Sequence, residues 1–520
     1  MIYSTLVCAF SALALASPIT KRQSGALVVT GAAGDLQPRR EIRDLANNDF
    51  NQFSLYVQAL QVIQEMDKTD PLSHYAIGAI HGWPAQAYDG VEGTTGVAGY
   101  CTHGSVLFPS WHRPYVALFE QAMSKAVNDL VPKYRDPAMD QAAATFRIPY
   151  FDWAVKPDNG PGFPEVMSSQ NITIRTPAGN ESISNPLYSY KFPSMPTELG
   201  QYWADDPMTV RYPVHSTNGP DTSNDNGDVT VFEHSVETNK AAVWKMFQNC
   251  NDYTQMASHS AEQNGSCISL ESIHDGVHVD IGGGGHMNDP AVAGFDPAFM
   301  LHHANVDRLF ALWQALYPDV YGASENFGSD ANGGFWTTNS VRNWWTFNYT
   351  YPEFQASDVS AEAIRATVSS LYAPAPTPTV QSLVATNAAP SLDYVAQISA
   401  PMGALNGSYS IGLFFGAPAT ASDLSSWFSD PAYAGRANVF ASSDMRMNNA
   451  VVNPSVPLTS ALSAEVEKGD IKNLSEDEVK PFLKEKLQWR IAKADGTVVD
   501  KVEGLDIKVL GSDGSVAFDG

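Results

Sequence analysis

The chain of 520 residues is predicted to fold as a mainly α domain followed by a β-rich C-terminal domain. Three observations predict this. Apolar residues recur at helical spacing in several segments between residues 39 and 316. The stretch Ala373-Pro374-Ala375-Pro376-Thr377-Pro378-Thr379 then reads as a Pro-rich linker. Beyond it, short runs of strand character replace the helical pattern.

In chain order, Leu6 to Ala16 is a short apolar run followed by Ala16-Ser17-Pro18, which reads as a signal peptide without the usual basic start. Lys21-Arg22 reads as a dibasic propeptide site, so residues 1–22 are expected to be removed. The six Asn-x-Ser/Thr sequons begin at Asn171, Asn180, Asn264, Asn348, Asn406 and Asn473. Behind a signal peptide they become glycosylation candidates, and the protein is expected to be secreted.

Residues 39–70 carry helical spacing, with Ile42, Leu45, Phe53, Val57 and Leu60 as core candidates. Residues 113–130 and 298–316 read as further helices. The stretch 155–240 is rich in Pro, Asn, Asp, Ser and Gly and reads as mostly loop. The expected bounds are 23–372 for the helical domain, 373–392 for the linker and 393–520 for the β-rich domain. In the latter, Tyr394 to Ile398, Ser408 to Phe415, Leu487 to Ile491 and Leu505 to Leu510 read as strands. Ser475 to Glu478 reads as a capping box opening a helix that Pro481 keeps brief.

Composition is that of a globular protein, 44% hydrophobic and 17% charged, with a formal net charge of -25. Such acidity disfavours nucleic acid and anionic membrane surfaces as partners. No segment after the signal peptide is long and apolar enough to span a bilayer.

Chemistry concentrates in two histidine clusters. The first is His81, His103 and His112; the second is His274, His278 and one of His302 or His303. Two all-imidazole sites suit a redox metal such as copper, whereas calcium and magnesium want oxygen ligands. The pattern points to a dinuclear copper centre that handles dioxygen. His274 and His278 are four apart and share one helix face. Adjacent helical residues point about 100° apart, so one of His302 and His303 faces the metal. His303 is the choice, because Asp307 stands four residues on, where its carboxylate could orient the ring. His274-Asp275-Gly276-Val277-His278 also resembles the zinc-protease pattern H-E-x-x-H, with Asp in place of Glu.

Cys250 and Cys267 are close in sequence and suit a disulfide in an oxidising compartment. Cys101 is then an odd thiol, two residues before His103: either a buried inert cysteine or part of the metal cluster.

These residues resemble the type-3 copper proteins: tyrosinases, catechol oxidases and haemocyanins. One signature runs from His103 through Phe108, Trp111, His112 and Arg113 to Glu120. The other runs from Asp296-Pro297-x-Phe299 through His303 to Asp307. Tyr349-Thr350-Tyr351 looks like the tyrosine motif closing the catalytic domain. With its signal peptide, linker and β-rich tail, the chain resembles a secreted fungal polyphenol oxidase. The resemblance implies a four-helix bundle around two copper ions, one held by His81, His103 and His112, the other by His274, His278 and His303. It implies a thioether between Cys101 and His103, and a C-terminal shield released by an activating protease near the linker. The activity it implies is oxidation of o-diphenols by O2 to o-quinones, with ortho-hydroxylation of monophenols as a further capacity.

Glu271 is similar to the family's water-holding glutamate; its plain reading is a solvated glutamate at a helix start. Asp275 stands where many hydroxylating members carry Asn, and a second carboxylate there would raise at least one of the two pKa values. Gly282 to Gly285 either leaves the pocket open or forms a plain turn. A haemocyanin-like oxygen carrier and a zinc hydrolase built on His274 and His278 are the competing functions.

Overall fold

The structure is a computed structural model that describes residues 27–85, 88, 100–200, 202–217, 219–261, 266–321, 326–329, 334–374, 392–418, 424–442, 450–512 and 516–519. The predicted signal peptide and propeptide, the sequon at Asn264 and most of the predicted linker lie outside the described residues.

The stretch predicted as helical over 39–70 is two helices, α1 (Ile42–Asn48) and α2 (Phe50–Glu65). Asp49 separates them: its backbone leaves helical geometry and its carboxylate accepts the Gln52 N–H, capping α2. Ile42, Leu45, Phe53, Val57 and Leu60 are all buried, as predicted. Helix α3 (His74–His81) follows, then α4 (Phe108–Leu130). Helix α4 begins five residues before the predicted start, with Pro109 in its first turn, where a missing N–H costs nothing. The 155–240 stretch holds more structure than predicted: an antiparallel hairpin, β1 (Asn171–Thr176) with β2 (Gly179–Ser184), and the start of α5 (Gly227–Asn249). Helices α6 (Leu270–Gly282) and α7 (Ala298–Leu316) complete the domain's centre. Ser269 caps α6 through the Ser272 N–H, and Gly283 ends it with φ 53.

Helices α2 and α4 pack together, α4 packs on α7, and α7 on α6, making the four-helix bundle; α3 and α5 flank it. Its interior is one continuous apolar core containing Phe108, Val116, Val277, Phe299 and Phe310. An ionic core is buried within the same bundle. Arg39 grips Glu120 at 3.1 Å, and Arg113 grips Asp307 at 2.6 Å. Tyr349 and Tyr351 donate to Asp307 at 2.5 and 2.6 Å.

The C-terminal domain is two antiparallel sheets sharing one core that includes Ile398, Ile411, Leu413, Val439, Ile491 and Val509. One sheet runs through β4 (Tyr409–Phe415), β5 (Tyr433–Val439) and β8 (Leu487–Lys493), with β4 central. The other is built on β3 (Tyr394–Pro401), paired with β6 (Val451–Val452), β7 (Ser455–Pro457) and β9 (Asp506–Gly511). Strand β5 has no counterpart in the sequence reading. The capping box at Ser475 is not made: Glu478 accepts from Lys472 instead, and the Ser475 side chain makes no cap. The helix nevertheless runs through Pro481 to Lys486, its Val479 and Leu483 buried in the domain core.

Strand β5 lies against α6. Side chains two apart point to one face of a strand, and here Arg436 pairs with Asp280 while Asn438 donates to Gly276 O and Asp280 Oδ1, both at 3.3 Å. Phe440 continues the row just past the strand.

Candidate metal centre

His81 ends α3, His112 sits in the first turns of α4, His274 and His278 lie on one face of α6, and His302 and His303 lie on α7. His103 precedes α4 in a stretch without regular secondary structure. The ring nitrogens of His81, His103 and His112, with the Cys101 thiol, lie within 4.8 Å of one another. Those of His274, His278, His302 and His303 do likewise. The groups adjoin: His112 stacks on His303 at 4.4 Å between ring centroids, and His103 and His274 are 5.7 Å apart.

The outer nitrogens explain the inward ones. His81 Nδ1 donates to Pro290 O at 3.2 Å, His112 Nδ1 to Phe108 O at 2.7 Å and His278 Nδ1 to Met287 O at 2.9 Å. His274 Nδ1 donates to Asp275 Oδ1 at 3.0 Å. Each bond fixes the tautomer and leaves the Nε2 lone pair aimed into the pocket. His81 Nε2 and His274 Nε2 are buried with no hydrogen-bond partner among the described residues. The His278 and His303 Nε2 atoms face each other at 3.2 Å. Burial holds the His81, His103, His274, His278, His302 and His303 imidazoles well below their ordinary range, and His112 down to about 3. Neutral imidazoles with orphaned inward lone pairs are a donor set for metal ions, and the residues fit two of them.

Asp307 does not orient His303. Its oxygens are taken by Arg113, Arg39, Tyr349 and Tyr351, and His303 Nδ1 has no partner among the described residues. The guanidiniums outbid a neutral imidazole for a buried carboxylate. His303 is held instead by Phe299, one turn earlier, stacked on its ring at 4.1 Å. His302, the neighbour not chosen as the ligand, also turns into the group, stacked on His274 at 5.1 Å, with neither ring nitrogen bonded among the described residues.

The Cys101 Sγ is 3.2 Å from His103 Nε2 and 3.6 Å from His103 Nδ1, so it faces the ring carbon between the two nitrogens. Burial holds its thiol well above the ordinary value. Cys250 and Cys267 form a disulfide.

Glu271 is fully buried, not a solvated helix-start residue. Its carboxylate accepts the Gly104 N–H at 2.7 Å and the His259 N–H at 2.8 Å. Asp275 Oδ2 lies 2.5 Å from His259 Nδ1. Burial alone would lower the His259 pKa, but the Glu271 and Asp275 carboxylates push it up to about 9. Burial raises Glu271 and Asp275 above the usual carboxylate range. No spacing in the sequence marks His259.

The Gly282–Gly285 stretch is a packed turn, not an opening. A Cβ on Gly283 would meet Tyr212 at 2.2 Å, and one on Gly285 would meet Val210 O at 2.0 Å. What covers the centre is Phe440, 1% exposed, stacked on His278 with centroids 4.3 Å apart and planes at 17°. It stands edge-on to His103 at 5.9 Å and His274 at 6.0 Å. Phe440 escaped sequence reasoning because strand β5 did.

Residues 71–316 match the family described as the common central domain of tyrosinase, and residues 393–509 the tyrosinase C-terminal domain. A Neurospora crassa tyrosinase is 35% identical over 388 residues, 65% of this chain and 56% of that protein. The chain thus spans little more than half the length of that relative. A Podospora anserina tyrosinase is 33% identical over 67% of this chain and 68% of its own. Polyphenol oxidase 3 of Agaricus bisporus is 31% identical over 63% and 62%. A solved mushroom tyrosinase superposes with TM-score 0.79 at 26% identity, covering 93% of this chain and 94% of its own. An Aspergillus oryzae pro-tyrosinase mutant shares the fold at TM-score 0.78 and 21% identity, over 96% and 98%. These comparisons lend no support to an oxygen carrier or a zinc hydrolase. A relative one third identical, matched along two thirds of its length, leads to one conclusion: the chain belongs to the tyrosinase family.

Proposed function

We propose that the chain is a dicopper phenol oxidase, made latent by its own C-terminal domain. The reaction is oxidation of o-diphenols to o-quinones. Two diphenols give up four electrons and four protons to one O2, leaving two quinones and two waters. Copper, when bound, supplies the one-electron redox chemistry and the affinity for O2. His81, His103 and His112 would hold one ion, and His274, His278 and His303 the other. The observation that carries this reading is the set of inward Nε2 atoms whose outer Nδ1 atoms are already bonded.

The chain's own residues orient substrate and protons. Phe108 and Phe299, edge-on to His274 and stacked on His303, keep water from the imidazoles. Glu271 and Asp275 are the bases nearest the centre for a phenolic proton. Both are already engaged, by two backbone N–H groups and by two imidazoles. That engagement favours diphenol oxidation, which needs no held water, over monophenol hydroxylation. A thioether between Cys101 Sγ and the facing carbon of His103 would lock that ring; its formation breaks the S–H and ring C–H bonds and passes two electrons and two protons to O2, the oxidant of the proposed reaction, a loss of two hydrogen atoms read by intact mass.

Phe440 occupies the place an aromatic substrate would take, so the C-terminal domain acts as a plug. Domains 23–372 and 393–520 joined by the linker 373–392 give a protease its target, and cleavage there releases the plug. Residues 1–22 direct the chain out of the cell. Of the sequons, Asn171 and Asn180 are exposed on the β1–β2 hairpin and are the favoured glycan sites, whereas Asn348 spends its amide on Ala32 O at 3.0 Å. The test is oxygen uptake by copper-loaded, linker-cleaved protein with catechol and with phenol. Uptake with catechol, faster than with phenol, is expected; uptake with neither overturns the proposal.

A further inference from the structure

His259 belongs to no metal group, yet its ring is 1% exposed and stands at the foot of the second one. Asp275 lies between it and a candidate ligand: Oδ1 accepts from His274 Nδ1 at 3.0 Å while Oδ2 meets His259 Nδ1 at 2.5 Å. Asp275 follows His274 directly in α6, and neighbours on a helix point about 100° apart. Its carboxylate must therefore be turned back to reach the His274 ring. It also lies one turn from Glu271 on the same helix, a like-charge pair that drives two buried carboxylates apart. His259 answers both demands. Its ring pulls on Asp275 Oδ2, sits 3.7 Å from Glu271 Oε2, and its own N–H donates to Glu271 at 2.8 Å. From the C-terminal domain, the Asn453 N–H donates to His259 O at 2.7 Å and fixes the loop.

We infer that His259 is a positioning residue for the second metal group, turning Asp275 onto His274 so that His274 Nε2 points at the ion. The inference rests on the reading of His274 as a copper ligand. Ligand-orienting partners of this kind are worth about 10- to 100-fold in metal affinity.

The test is chelator competition on the full-length chain, reading the copper affinity of each group with no turnover assay. His259→Phe removes the donor and keeps the bulk; His259→Asn keeps an N–H where Nδ1 stood. The expected result is a loss of about 10- to 100-fold in one of the two copper affinities in His259→Phe, largely restored in His259→Asn, with the other affinity unchanged. Asp275→Ala alone should show the same loss, which covers the case of a His259→Phe chain that fails to fold, and adding His259→Phe to it should cost nothing further. Wild-type affinity for both ions in folded His259→Phe overturns the inference, as does a full additional loss in the Asp275→Ala background. A wild-type chain that holds fewer than two copper ions instead overturns the ligand reading on which the inference stands.

Discussion

Replacing Arg436 by Ala should open the latent enzyme without any protease. Arg436 reaches from β5 to Asp280 on α6, the helix that carries His274 and His278, and the two side chains are 5% and 3% exposed. It is the cation among the described residues whose charge faces Asp280, and its guanidinium also lies over Phe428 at 5.0 Å. Removing one partner of such a buried pair costs about 3–5 kcal/mol, because the other charge stays buried and uncompensated. Here part of that cost is relieved by undocking, which returns Asp280 to water. At about 1.4 kcal/mol per factor of ten, the docked state loses about 10²- to 10³-fold against the open one. The assay is oxygen uptake with catechol by full-length, copper-loaded Arg436→Ala, beside the parent and the linker-cleaved chain. Activity should rise from the parent level toward the cleaved level. Removing both charges in Arg436→Met with Asp280→Leu should restore latency, since apolar replacement of a buried pair is close to neutral. A folded Arg436→Ala chain carrying two coppers that stays as silent as the parent, beside an active cleaved chain, would refute the reasoning.

Asp275→Asn frees the carboxylate pair of one charge and should raise the ratio of monophenol to diphenol turnover about tenfold or more, read by oxygen uptake with both substrates; an unchanged ratio counts against any role for Asp275 in the choice. Asp307→Ala leaves Arg113 buried without its carboxylate partner, while Arg39 keeps Glu120, and should cost about 3–5 kcal/mol in unfolding experiments. Its copper affinity should stay near that of the parent, because Asp307 touches no candidate ligand; loss of copper at unchanged stability would reverse that assignment. Burial raises Asp228 from 3.8 to about 6. The folded state therefore binds the proton more tightly than the unfolded one, and this contribution is present below pH 3.8 and lost as pH rises to about 6. The shift corresponds to about 3 kcal/mol, and urea unfolding across that window should show the slope reduced by this contribution in Asp228→Asn.

The imidazole clusters were legible in the sequence because metal chemistry dictates both residue type and spacing. His274 and His278 must share a helix face, and each motif carries its aromatic cushion, Phe108 or Phe299, four residues from a ligand. The ionic core was legible as motif but not as role. Glu120 reads as the end of a motif and Asp307 as a residue that orients His303, yet Arg39 and Arg113 claim them, and nothing local announces a guanidinium that arrives from a distant segment. His259 was invisible for the same reason: its neighbours Ser258 and Ser260 carry no pattern, and its importance comes from two carboxylates on another element. Phe440 was hidden because β5, with Gly435 and Arg436 inside it, does not read as a strand; its place is set by pairing with β4 and docking on α6. The helix through Pro481 shows the reverse case, where burial of Val479 and Leu483 overrides a local breaker.

The central claim is that two groups of imidazoles hold two copper ions. Anomalous diffraction at the copper edge, on crystals of the copper-loaded full-length chain, tests it most directly. Two peaks are expected, one among His81, His103 and His112 and one among His274, His278 and His303. A single peak, or peaks bound elsewhere on the acidic surface, would contradict the account.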